Sequence, residues 1–231
     1  MRHIQEFLVN KKINKKIDNY AYYPETKDEL KKIIKDLISK DIYNLNCIDT
    51  NKITDMSGLF PGIQSETYVK STSIDISDWD VSNVEDMSGM FNGLSKFNSD
   101  ISKWDVSKVK IMESMFSGCC IFDKDLSNWD TQELVNANYM FNNCHKFEGK
   151  GLSKWKTNNL YFAIKMFENC DHFNEDISNW NVKNLRRAEN MFYCCISFNK
   201  DLSKWNLGEY CNYENMFFGC DLLDDLPEWY Y

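Results

Sequence analysis

Five of the nine cysteines, Cys119, Cys144, Cys170, Cys195 and Cys220, recur at intervals of 25 or 26 residues. Thiols held in register by a repeating chain could oxidise in pairs or share a soft metal ion, because neighbouring strands lie about 4.8 Å apart. Metal sites, however, draw their ligands from clusters such as C-x-x-C. Here each interval supplies one cysteine, apart from the adjacent pairs Cys119–Cys120 and Cys194–Cys195. Cysteine is also a small apolar filler of cores. The expectation is an inert core ladder that binds no metal. An odd number of cysteines leaves at least one thiol without an intrachain partner.

Asp75, Asp100, Asp125, Asp176, Asp201 and Asp225 make a second regular column, and hard carboxylate oxygens suit calcium. That column breaks at Gly151, and a turn or cap hydrogen bond accounts for aspartate equally well. His3, His145 and His172 do not make a site, since the first lies in the N-terminal extension and the others fall on different repeats. The chain has no G-x-S-x-G, P-loop or H-E-x-x-H motif. Neither catalysis nor a cofactor is expected.

All seven tryptophans, Trp79, Trp104, Trp129, Trp155, Trp180, Trp205 and Trp229, stand 24 to 26 residues apart. Such regularity marks copies of one structural unit, and the architecture it predicts is an α/β repeat solenoid. Within each unit the same residue types recur at fixed offsets. An aliphatic precedes the tryptophan by three places (Ile76, Ile101, Leu126, Leu152, Ile177, Leu202). Eight, eleven and twelve places after it comes a set such as Met87, Met90 and Phe91, then Cys or Leu94 and a further Phe. The set at 0, 3, 4, 7 and 10 reads as one face of a short helix, and I-S-x-W-x-V reads as a short strand. On a regular strand Ile and Trp would face opposite ways unless the strand bends. The tryptophan column is expected in the core; exposed, it would be a platform for carbohydrate.

The serines two places before each tryptophan, Ser77, Ser102, Ser127, Ser153, Ser178 and Ser203, alternate with the buried aliphatic and should face outward. Beside them lie Lys103, Asn128, Lys154, Asn179 and Lys204. Extended sheet faces are where solenoids bind partners, so these columns form the candidate interaction face. A merely solvated face is the alternative.

Residues 1–44 read as an N-terminal extension and capping helix. Thr26 is the candidate N-cap and Leu30, Ile33, Ile34, Leu37 and Ile38 form an apolar stripe over KDELKKIIKDLISK. Residues 45–231 read as about seven stacked units, with LPEWYY closing the far end. PGIQSETYVKST is expected to hold a looped insertion, and the extra residue near Gly149–Gly151 a bulge. A net charge of -8 argues against nucleic acid. No stretch reaches the roughly eighteen apolar residues of a membrane span. No hydrophobic leader region opens the chain, so the expected location from these residues alone is cytoplasmic and reducing.

The unit at residues 79–104, WDVSNVEDMSGMFNGLSKFNSDISKW, resembles the 25-residue repeat of mycoplasma-type lipoproteins and BspA-like leucine-rich-repeat surface proteins. The segment YPETKDELKKIIKDLI followed by IDTNKITDMSGLF resembles the start of such proteins. The resemblance implies a curved leucine-rich-repeat-like solenoid, a cell-surface location, and adhesion or host contact without catalysis. The expected partner is a protein, with no nucleic acid and no membrane insertion. An intracellular scaffold is the second expectation, and carbohydrate binding through the tryptophans the third.

Overall fold

The computed structural model describes residues 20–60, 74–223 and 225–230. Most of the N-terminal extension ahead of the capping helix, and the insertion expected at PGIQSETYVKST, fall outside them. Helix α1 spans Lys27–Ser39 and begins at Thr26, whose hydroxyl accepts from the Glu29 N–H, while Glu29 reaches back to the Glu25 N–H at 2.7 Å. That reciprocal arrangement satisfies amides that a helix start otherwise leaves bare. Leu30, Ile34 and Leu37 are buried on its inner face. Lys27 anchors its first turn to Asp55 at 3.0 Å.

Beyond α1 the secondary structure departs from expectation. The segment read as a strand, I-S-x-W-x-V, is a pair of turns. The Trp79 N–H returns to the Ile76 carbonyl at 3.1 Å and the Val84 N–H to Val81 at 2.9 Å, and the same bonds recur in later copies. A turn brings residues three apart to the same side, so both the aliphatic and the tryptophan face inward. Parallel bridges join Tyr22 to Ile48 and Asn44 to Asp75, and the longest run lies seven residues after Ile48 and after each tryptophan from Trp79 to Trp205: Asp55, Asp86, Ile111, Asn136, Phe162, Arg187 and Asn212.

The segments read as helices are also turns, and among the described residues 45–230 there is no α-helix. Two left-handed residues per copy are the cause. Gly89, Ser114, Tyr139, Lys165, Asn190 and Asn215 have φ of 53° to 58°. Four places on, Gly93, Gly118, Asn143, Asn169, Cys194 and Gly219 are left-handed as well. An α-helix tolerates neither. Alternate amides point across to the next copy instead of back along a helix. Met87 N–H donates to Ile111 O (2.8 Å), Gly89 to Glu113 (2.7 Å), Phe91 to Met115 (2.9 Å) and Gly93 to Ser117 (2.7 Å). Through this segment each copy therefore points backbone donors at its successor and acceptors at its predecessor, and neighbouring copies lie side by side along their backbones.

Apolar burial runs the length of this arrangement. The six rings Phe91, Phe116, Phe141, Phe167, Phe192 and Phe217 follow one another at 5.5–5.7 Å between centroids. Trp129, Trp155, Trp180, Trp205 and Trp229 do so at 6.2–6.4 Å. The extra residue before Trp155 is taken up by two left-handed glycines, Gly149 and Gly151, and a short 3-10 turn at Leu152–Lys154. At the far end Tyr230 packs edge-on against Phe217.

Candidate functional site

The regular columns of polar and reactive groups are consumed by the framework. Each buried indole donates its Nε1–H to the aliphatic carbonyl of the preceding copy: Trp104 to Ile76 O at 3.2 Å, Trp180 to Leu152 O at 2.8 Å, Trp229 to Leu202 O at 2.9 Å. Trp79, Trp104, Trp129, Trp155, Trp180 and Trp205 are 2–5% exposed, so the ladder offers no stacking platform for sugar. The cysteines repeat the same device. The Cys119, Cys144, Cys170, Cys195 and Cys220 thiols each donate to a Phe carbonyl of the preceding copy at 2.9–3.2 Å. Burial pushes these thiols above their ordinary range, to about 12 at Cys220. All nine cysteines are free. Among the described residues no group of three His, Cys, Asp or Glu could hold a metal ion.

The aspartate column builds turns. Asp75, Asp100, Asp125, Asp176 and Asp201 each accept from the backbone N–H of the serine two places on, at 2.8–3.1 Å. At Asp125 and Asp176 that backbone bond, then the serine hydroxyl, holds the carboxyl below its ordinary value. At Asp100 and Asp201 the hydroxyl contributes most and the backbone next. At Asp75 burial pushes upward, but the bonds from Ser77 outweigh it. A carboxyl depressed in the folded state lends stability above its unfolded pKa, near 3.9, and that contribution is lost as pH falls through the folded value. Thermal melting is therefore expected to change little from this column between about pH 7 and 5, then to fall below about pH 4. Asparagine at positions 100, 125, 176 and 201 keeps the turn acceptor and should flatten that fall; an unchanged acid slope in the quadruple variant would refute the assignment.

The serine column consequently sits on turns, not on a strand. Ser77, Ser102, Ser127, Ser153 and Ser178 are half-buried and Ser203 is exposed. Their polar groups are engaged locally: Ser203 Oγ with Asp201 at 2.5 Å, Ser153 Oγ with Glu175 at 2.6 Å. Among their neighbours, Asn128 and Asn179 tie back to the serine carbonyl of the preceding copy at 3.4 and 2.7 Å. Lys103, Lys154 and Lys204 are exposed. His145 and His172 stand on different repeats, each bonded to the neighbouring copy: His145 Nδ1 meets Asp171 at 3.0 Å, and Lys146 Nζ meets His172 at 3.4 Å.

The least uniform side chains lie elsewhere, on the two columns at the parallel bridges. One carries Glu85, Lys110, Val135, Tyr161 and Arg186; the other carries Asp86, Ile111, Asn136, Phe162 and Arg187. Successive backbones are joined there, Val135 N–H to Lys110 O at 2.9 Å and Tyr161 N–H to Val135 O at 2.9 Å. Their side chains therefore form a continuous surface. Tyr161 and Phe162 are 36% and 37% exposed on it, with their rings 6.4 Å apart. Arg186 lies over the Tyr161 ring at 5.9 Å. Lys110 pairs with Glu85 at 2.8 Å. At one end, an open cleft of about 410 Å³ is lined by Glu209, Cys211, Asn212, Tyr213, Glu214 and Tyr230. The constant columns do not point to this surface; its mark in the sequence is the irregularity of the residues between Val84 or its equivalents and the following methionine or alanine.

A family model described as "Mycoplasma protein of unknown function, DUF285" matches residues 28–150 and again residues 126–229. No curated protein and no solved structure matches the chain.

Proposed function

This chain belongs to the mycoplasma family of unknown function whose model it matches, and from that premise we propose a non-enzymatic protein-interaction solenoid. The observation that carries this reading is the contrast between the columns. Trp, Cys, Asp and Ser repeat because each closes a bond within the framework. The bridge columns are free to vary and expose aromatic and charged side chains on one continuous surface. Exposed aromatics and arginine are the residue types that anchor protein interfaces. Solenoids present such surfaces as extended binding faces. The interaction face proposed is thus the bridge columns centred on Phe162, in place of the serine turns.

A photocrosslinking phenylalanine analogue at position 162, in the native cell, is expected to yield a discrete higher-mass adduct. The same analogue at position 204, on the serine turns, should yield none. An adduct from 204 alone would move the interaction to the serine turns. Adducts from neither position, in variants with unaltered circular dichroism, would overturn the reading.

The resemblance to BspA-like surface repeats supports contact at the cell surface as the setting. Nine free thiols support the second setting, an intracellular scaffold. Protease treatment of intact cells separates the two: loss of the chain while a cytosolic control survives supports surface contact, and protection until lysis supports the scaffold.

A further inference from the structure

We propose that the segment seated on this face is acidic: an extended peptide of a partner protein carrying a carboxylate beside an apolar side chain. This rests on the interaction reading above and supplies the chemistry of its occupant. The chain has three arginines, and two of them, Arg186 and Arg187, are adjacent on the bridge columns. Arg186 is exposed, fixed over the Tyr161 ring at 5.9 Å and tethered through Nη1 to the Leu185 carbonyl at 3.1 Å. It makes no ion pair with a carboxylate among the described residues, whereas Lys110 on the same face is paired with Glu85. In a chain of net charge -8, this guanidinium is held in place without an anion of its own among the described residues. Its planar fork matches a carboxylate.

The adjacent Arg187 is already neutralised by a buried carboxylate. Glu189 is 8% exposed; its Oε1 accepts from Arg187 Nε at 2.5 Å and from Asn212 Nδ2 at 2.9 Å. Its Oε2 is buried with no hydrogen-bond partner among the described residues. A buried acceptor without a donor is rare in folded proteins. A peptide lying along the face meets Arg186 with its side-chain carboxylate, while the buried Glu189 Oε2 lies beneath the surface, out of its reach. The half-open ring of Phe162 receives the apolar neighbour. A phosphate polymer is disfavoured here, because Glu189 already neutralises Arg187 and two arginines do not make a basic stripe.

The probe is a fluorescein-labelled octapeptide alternating Glu with Leu, with a Lys–Leu octapeptide as its counterpart, titrated with the whole chain by fluorescence anisotropy. The acidic peptide should bind in preference. Arg186→Glu should weaken it by about tenfold or more, Arg186→Lys by less, and Lys204→Glu should leave it unchanged. Equal binding of the two peptides, binding of neither at millimolar concentration, or indifference to Arg186→Glu overturns the acidic occupant. If position 162 still crosslinks a partner in that case, the interaction face stands and only its assigned chemistry falls.

Discussion

Replacing Trp155 with alanine should cost about 3–5 kcal/mol, the range for deleting a buried large aromatic. Its indole lies between Trp129 and Trp180, 6.2 Å from each, and tilts against Phe141 at 6.3 Å. Its Nε1–H reaches the Leu126 carbonyl at 3.3 Å. A whole domain is held by only about 5–15 kcal/mol, so the loss would take a large share of the total. Because each copy contacts mainly its neighbours, the break should fall between the copies before and after position 155. Urea unfolding followed by circular dichroism should show a lowered midpoint, with the single transition broadening or splitting in two. Trp155→Phe should cost far less. It keeps a stacked ring, and the Leu126 carbonyl keeps its bond from the Trp129 N–H at 3.1 Å. A loss below about 1 kcal/mol in the alanine variant would mean the column does not hold the copies together.

The second large effect is expected at Gly151. Its φ is +88°, and a Cβ there would lie 2.3 Å from the Ser127 nitrogen and 2.5 Å from its Cα. Both obstacles are backbone of the preceding copy, which cannot swing aside as a side-chain tip could. Gly151→Ala combines left-handed strain with forced overlap, each worth about 1–3 kcal/mol, and should lower stability by about 3 kcal/mol. Gly89→Ala provides the contrast. Its φ is +58°, its nearest neighbour is Asn92 Cβ at 3.9 Å, and Ser114, Tyr139, Lys165, Asn190 and Asn215 hold the same conformation in other copies. That variant should cost about 1 kcal/mol. Equal melting temperatures for the two alanine variants would remove close backbone approach as the reason for glycine at 151.

These two sites mark where sequence and structure part. Trp155 was legible as an inward residue because its column never varies and sits beside an aliphatic one. Gly151 was legible as an interruption of the aspartate column and as part of the bulge expected near Gly149–Gly151; its contact with Ser127 exists between copies and leaves no local trace. The amphipathic run around α1 and the N-cap at Thr26 were readable because helix capping and a 3.6-residue stripe are local properties. The Met, Met-Phe, Cys, Phe spacing was read as a helix because a run of turns with left-handed residues at Gly89 and Gly93 places the same side chains inward. Periodicity reports which residues share a side, not which backbone path puts them there.

The serine columns show the same limit. Alternation with a buried aliphatic is the pattern of a strand, yet the bond from Trp79 N–H to Ile76 O makes it a turn. The pairing surface moved to Asp86, Ile111, Asn136, Phe162 and Arg187, columns whose irregularity carried no periodic signal. The sequence by itself determined the length of the unit, the inward residues, the burial of the cysteine column and the capping helix. These follow from side-chain hydrophobicity, local capping and one repeated spacing. Tertiary structure alone decided the backbone path and which variable columns share a surface. Those depend on hydrogen bonds between residues about 25 positions apart, and no local pattern of residue types encodes their direction.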